Sequence, residues 1–223
     1  MKLSMRWFGQ ADPVTLKDIG QVPGVCGIVS GLYDLPAGDV WTEETRGSLQ
    51  GQIEDAGFRF EVIESIPVHE QIKLGGVDRD RVIDRYCASL TAAGQRGIPV
   101  VCYNFMPIFD WTRTNLAEQL PDGSTALSYR HADVASIDPL SGKTDLPGWA
   151  AAYTKTELRE LFDAYRSVDE AALWDNLAFF LEKVIPVAES SGVKMGIHPD
   201  DPPWSIFGLP RIITDKDALQ RVI

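Results

Sequence analysis

Short apolar runs and longer segments of helical period alternate along this chain. Residues 25–29, VCGIV, read as a buried strand, and a helical pattern begins near Thr42, with Leu49, Ile53 and Ala56 on one face and Gly57 as its stop. RFEVIES at 59–65 is a second buried strand. The helix after it opens at the capping residue Asp78 and carries Val82, Tyr86, Leu90 and Ala93 on its inner face. IPVVCYNF at 98–105 is β-branched and almost wholly apolar, bounded by Gly97 and Pro107, and is the clearest strand of the chain. Two capping boxes follow, Thr154 with Glu157 and Ser167 with Glu170; the second opens a long helix striped by Leu173, Leu177, Leu181, Val184 and Ala188. Gly192 ends that helix, VKMGIH forms the next strand, and Thr214 with Asp217 begins one more helix.

The strand-then-helix order predicts a parallel α/β fold, either an open doubly wound sheet or a closed (β/α)8 TIM barrel. Continuous apolar strands imply cover on both faces, as in a parallel sheet. A nucleotide-binding open sheet would carry a glycine-rich phosphate loop, and neither GxGxxG nor GxxxxGK[ST] occurs, which favours the barrel. With SMRWFG as the first strand the count reaches five, whereas closure needs eight. Residues 1–223 are therefore expected to be a single, incomplete TIM-barrel domain. Residues 110–148, after the fourth strand, break into a polar excursion containing Gly and Pro. A stretch of that length is expected to be an insertion or lid, with a subunit contact as the other reading.

Composition narrows the partners. Thirty-two acids against twenty-one bases give a formal charge of −11 with the bases scattered, which argues against a nucleic-acid binder. Cys26, Cys87 and Cys102 are odd in number and widely spaced, so a reduced, cytoplasmic protein fits better than a disulfide scaffold. The segment MKLSMRWFGQ lacks the apolar core of a secretory signal, and no apolar run approaches a membrane span.

The candidate chemistry lies at the C-terminal ends of strands, the face that carries the site in a barrel. His198, in GIHPDDPPW, is either a metal ligand with carboxylates such as Asp200 nearby or a satisfied structural histidine. Glu64 is either a group near a metal or substrate hydroxyl, or half of an ion pair with a neighbouring strand's base. His69 sits on a loop near the mouth, facing sugar hydroxyls or water. Tyr103 and Asn104 suit a polyol, and alternation lets only one of them face inward. Arg6 and Trp7 could clamp a carboxylate and a sugar face, against a structural ion pair and a packed indole. Trp111 and Arg113 open the excursion, Lys73 and Arg113 could help Arg6 hold an anion, and His131 reads as surface.

The strings VTLKDI, PGVCGIVSGLYDLPAGDVW, VIESIPVHEQIKLG, VVCYNFMPIFDWTRTNL and GIHPDDPPWSIFGLPRI, in this order, resemble the mannonate dehydratase family across essentially the whole chain. The resemblance implies a xylose-isomerase-like TIM barrel. It also implies a lyase that uses Mn2+ or Fe2+ to dehydrate D-mannonate to 2-keto-3-deoxy-D-gluconate in glucuronate catabolism. His198 matches the family's first metal-binding histidine. The family's other ligands, a cysteine and further histidine and aspartate residues, and its acid-base residues lie on strands beyond Ile223. Cys26 and Cys102 belong to earlier strands and are expected to pack as small hydrophobes. The chain is accordingly expected to be the N-terminal part of such an enzyme, with little turnover of its own and a tendency to aggregate or to be completed by another chain as a homo-oligomer. The other readings are a sugar isomerase or epimerase on the same barrel, or a non-catalytic carbohydrate-binding fragment.

Overall fold

The computed structural model describes residues 2–33, 35–140 and 153–223, which form two compact units: Met1–Asn104 with Leu177–His198, and Phe105–Asn176 with Pro199–Ile223. The first unit is built on a five-stranded sheet of β1 (Leu3–Arg6), β2 (Val25–Ser30), β3 (Arg59–Ile63), β4 (Val100–Tyr103) and β7 (Lys194–Ile197). Every pair is parallel, and each strand joins on the far side of the one before it in the chain. A doubly wound sheet reverses direction at a switch point. This one does not, and its winding is consistent with part of a (β/α)8 barrel.

Alternation along the strands decides which side chains are buried. Ile28, Phe60, Ile63, Val101 and Tyr103 are buried on the face covered by helices. The helices beside these strands are α2 (Glu43–Asp55), α4 (Arg79–Gln95) and the later turns of α7 (Glu170–Ser190). Ile53, Val82, Tyr86, Leu90 and Ala93 are buried as the periodicity predicts. Ala56, placed on the same stripe, is exposed, because it follows the last helical residue. At the centre, Phe180 of α7 meets Tyr86 edge-on at 5.0 Å and Tyr103 at 5.8 Å. Leu173, Leu177, Val184 and Ala188 are buried as the stripe predicts, while the fully buried Phe180 takes the place expected of Leu181, which is only half-buried. Ser89 of α4 is buried too, and its hydroxyl accepts from the Trp41 N–H at 3.0 Å and donates to the Arg85 carbonyl.

The opposite face of the sheet sets charged and polar side chains beside Val29, Val62 and Val100. A Cβ on Gly27 would lie 2.6 Å from Glu61 Cγ and 2.6 Å from Ser4 Oγ, so only glycine lets the Glu61 side chain lie across β2. The Glu61 carboxylate reaches Lys2 at 2.7 Å. Short helices not foreseen in the sequence, α1 (Leu16–Ile19) and α3 (Glu70–Lys73), follow β1 and β3. Thr15 and Asp18 form a capping box on α1.

In the second unit the excursion is not structureless. It holds an antiparallel hairpin of β5 (Asn115–Gln119) and β6 (Thr125–Ser128) and the short helix α5 (His131–Ala135); residues 141–148 of the expected insertion fall outside the described residues. Helix α6 (Lys155–Tyr165) starts with the expected box of Thr154 and Glu157. Ser167 does not cap α7. Its hydroxyl donates to the Ala164 carbonyl behind it, and Asp169 takes the cap by accepting from Ala172 N–H at 2.9 Å. Likewise Asp215, not Thr214, caps α8 (Lys216–Val222), accepting from Ala218 N–H at 2.8 Å. Asp78 stands at the start of α4 but spends its carboxylate on Arg81 at 3.3 Å. Phe109 packs against Phe162 and Phe207. Among the described residues no helix is long and apolar enough to cross a membrane.

The aromatic cluster supplies a direct test. Phe180→Ala is expected to lower unfolding free energy by about 3–5 kcal/mol, and Leu181→Ala by less than about half of that, measured by urea denaturation; equal losses would mean that the stripe is placed wrongly.

Candidate active site

The residues that the strand order brings to one edge of the sheet are Arg6 at the end of β1, Glu64 after β3, Asn104 after β4 and His198 after β7. They share a face by register. Cys102 pairs with Gly196, and a Cβ on Gly196 would lie 3.6 Å from Cys102 Sγ, so the thiol points away from the helix-covered side. The next residues on that side, two positions along each strand, are Asn104 and His198. Tyr103 points the other way, into Phe180, and burial raises its hydroxyl's pKa. Of the two polyol candidates, Asn104 is the one on the open side.

Arg6 and Glu64 meet directly, Nη1 to Oε1 at 2.5 Å, so Glu64 is engaged by a base two strands away. Both side chains are about one-third exposed, at 32% and 29%. Their field reaches Cys102: burial first, then the Glu64 carboxylate, push the Cys102 thiol up to about 11, with Arg6 opposing. The thiol is neutral near pH 7, neither a nucleophile nor a ready thiolate ligand. Cys26 is exposed rather than packed.

Trp7 does not reach the open edge. Trp7 is 4% exposed, its backbone N–H donates to the Val29 carbonyl, and its own carbonyl accepts from Ser30 Oγ at 2.7 Å. The exposed rings beside Arg6 belong instead to Phe8 and Tyr33, which the sequence reading passed over. The signal was available in RWF: if Arg6 faces the open side, Trp7 must face the core, and the aromatic next in line is Phe8.

His69 caps α3. Its Nδ1 accepts from Gln71 N–H at 3.1 Å, which puts the neutral ring's proton on Nε2. Gly38, at φ 87°, lets the ring approach: a Cβ there would lie 2.7 Å from His69 Cδ2. Burial lowers the imidazole's pKa below 6.5, with Glu70 opposing and Lys73 reinforcing the shift. Lys73 is itself buried against Glu70 at 2.7 Å, in an ion pair rather than at an open anion site.

In the second unit, Arg113 forks onto Asp201 with contacts of 3.1 and 2.7 Å and lies 5.4 Å from the Trp111 ring. Asp200 is 4% exposed; its Oδ2 accepts from Ile212 N–H at 2.7 Å and Ile213 N–H at 3.0 Å, and its own N–H donates to Ile213 O. That carboxylate is a backbone clamp, which accounts for an aspartate so close to His198 without placing it on a metal. His131 is exposed, as read, and bonds Tyr129, which also accepts from Trp204.

His198 has an exposed side chain, and its N–H donates to Tyr103 O at 2.8 Å, one step past the β4–β7 ladder. Among the described residues no three His, Cys, Asp or Glu side chains group to hold a metal ion. One imidazole is a ligand and not a site: these residues do not fit a complete metal centre, and any such centre needs donors beyond them.

Two outcomes follow from these environments. A histidine whose folded pKa is lowered costs stability when protonated, so stability is full above the ordinary value of 6.5 and falls as pH drops through it. Protonation also removes the Nδ1 acceptor from Gln71. Thermal unfolding between pH 7.5 and about 5 is therefore expected to show a loss that His69→Asn, a non-titrating cap, flattens; an unchanged slope in the variant would refute the cap. Asp200→Ala strands two buried N–H groups and is expected to cost about 3 kcal/mol in denaturant unfolding, with Asp200→Asn costing about half; a loss below about 1 kcal/mol would remove the clamp.

Comparison with known proteins agrees across the chain's full length. Residues 1–223 match the family model described as D-mannonate dehydratase (UxuA). A protein named mannonate dehydratase from Streptococcus agalactiae serotype Ia is 52% identical over 223 residues, covering 100% of this chain and 64% of the relative. One of that name from Oceanobacillus iheyensis shows the same identity and coverage. The crystal structure of mannonate dehydratase from Streptococcus suis serotype 2 superposes with a TM-score of 0.88 at 48% identity, over 99% of this chain and 60% of that one. The chain thus spans under two-thirds of the length of these relatives. With the strand order, the shared edge and a family match from the first residue to the last, the chain belongs to the D-mannonate dehydratase family.

Proposed function

We propose that this chain forms part of a cytoplasmic, homo-oligomeric hydro-lyase that converts D-mannonate to 2-keto-3-deoxy-D-gluconate and water in glucuronate breakdown, with Mn2+ or Fe2+. The observation that carries the reading is 52% identity across all 223 residues to proteins named mannonate dehydratase. The reaction removes a weakly acidic proton beside a carboxylate and expels hydroxide from the next carbon, so negative charge develops on oxygens at both ends. A divalent cation, when bound, supplies Lewis-acid stabilisation of that charge.

What this chain brings is a set of polar groups along one sheet edge. We assign His198 as a metal ligand whose fellow donors lie outside the described residues. Arg6, oriented by Glu64, offers the guanidinium that an anionic substrate needs in a protein of net charge −11. Asn104 offers an amide to a sugar hydroxyl. The general acid and base are not assigned to any described side chain.

The test uses the protein produced from its native gene, with its intact mass recorded against 24.6 kDa. Product is expected from D-mannonate with Mn2+ supplied, is expected to vanish on chelation, and is expected to drop at least about 100-fold in His198→Ala. No product from D-mannonate, or product indifferent to both chelation and the substitution, would overturn the reading.

A further inference from the structure

Two large aromatic rings stand in solvent at the active edge of the sheet, and a guanidinium is held between them and a carboxylate. Phe8 is 54% exposed and Tyr33 46%, and their centroids lie 5.7 Å apart with the planes tilted by 35°. The Arg6 guanidinium carbon is 4.7 Å from the Phe8 centroid and 5.9 Å from that of Tyr33. Glu64 takes one of its nitrogens, Nη1, and the buried Nε finds no hydrogen-bond partner among the described residues. Five N–H donors are therefore only partly used.

The rings are fixed from below. Phe8 N–H donates to Asp12 Oδ2 at 2.8 Å, the Tyr33 hydroxyl contacts the Trp7 carbonyl at 3.5 Å, and the Trp7 indole anchors the same turn in the core. Apolar rings kept exposed by such anchors are spent on recognition rather than on packing. Cation–π contact with both rings and the Glu64 bond set the plane of the Arg6 fork, leaving its remaining edge for a planar anion. Carbon-bound hydrogens of a polyol chain suit the ring faces.

Resting on the dehydratase reading above, we infer that Phe8 and Tyr33, not Trp7, form the apolar wall of the substrate site, with Arg6 presented between them to the sugar-acid carboxylate. Phe8 and Tyr33 would then discriminate an open-chain hexonate from shorter hydroxy acids. They are binding residues and leave the chemical step alone.

The experiment measures D-mannonate turnover by the protein produced from its native gene, and by Phe8→Ala, Tyr33→Ala and Tyr33→Phe. Both alanine variants are expected to raise KM about 10-fold with kcat within about twofold, and Tyr33→Phe, which keeps the ring, is expected to retain the parent KM. Unchanged circular dichroism and melting temperature show that the variants fold; if Phe8→Ala does not fold, Phe8→Leu takes its place. KM within about twofold of the parent in both variants sinks the wall while leaving the dehydratase reading standing. A parent protein that makes no product from D-mannonate sinks that reading, and the wall falls with it.

Discussion

The burial of Tyr103 against Phe180 is the constraint from which the open edge of the sheet takes its order. A strand of period two offers no intermediate choice: once one residue is committed to the helix side, its neighbours are committed to the other. Tyr103 is 2% exposed and pinned edge-on by a ring that is itself fully buried. Cys102 and Asn104 must then face away, and through the pairing of β4 with β7 so must Gly196 and His198. A slip of one residue would send the imidazole into the helices and the tyrosine into the open, at the cost of an aromatic cluster. Packing energy on one face of the sheet thereby fixes the chemistry on the other.

That second face carries charge where a hydrophobic core would ordinarily not tolerate it, and two acids from the β3 segment are answered from across β2. Glu61 lies across Gly27 to Lys2, and Glu64 reaches Arg6. Neither pair is a large source of stability, since both are partly exposed and desolvation offsets the attraction. Their effect is geometric: long side chains that would otherwise sample many rotamers are held in one arrangement along the strand ends. Glycine at 27 matters for the same reason, because any larger residue would deny Glu61 its path.

Much of this was legible in the sequence, and the residues that were not share a cause. Five strands and the stripe of α4 followed from periodicity, which depends on the chain alone. The capping box at Thr154 was readable because its partner lies three residues away. Ser167 failed because its hydroxyl turns back to the Ala164 carbonyl and Asp169, two residues on, takes the cap through the Ala172 N–H, a competition no spacing rule resolves. The hairpin of β5 and β6 was missed although Asp122-Gly123 stands at its turn, since the flanking strands are mostly exposed and lack a strong apolar alternation. Trp7 and Asp200 look like site residues by type; alternation from Arg6 already turns the indole to the core, whereas only the tertiary structure reveals a carboxylate on two backbone amides.

His198 illustrates why residue type and position must be argued together. Its backbone N–H is bound to Tyr103, so the residue extends the β4–β7 ladder by one rung and its ring leaves the sheet from a fixed point. Two residues on, Asp200 is locked to Ile212 and Ile213, and the carboxylate after it to Arg113, so both acids help to hold their own loop. The sheet thus fixes where the imidazole leaves the backbone, and the two carboxylates fix the loop that follows, so each is placed by its partners in the fold rather than by residue type alone.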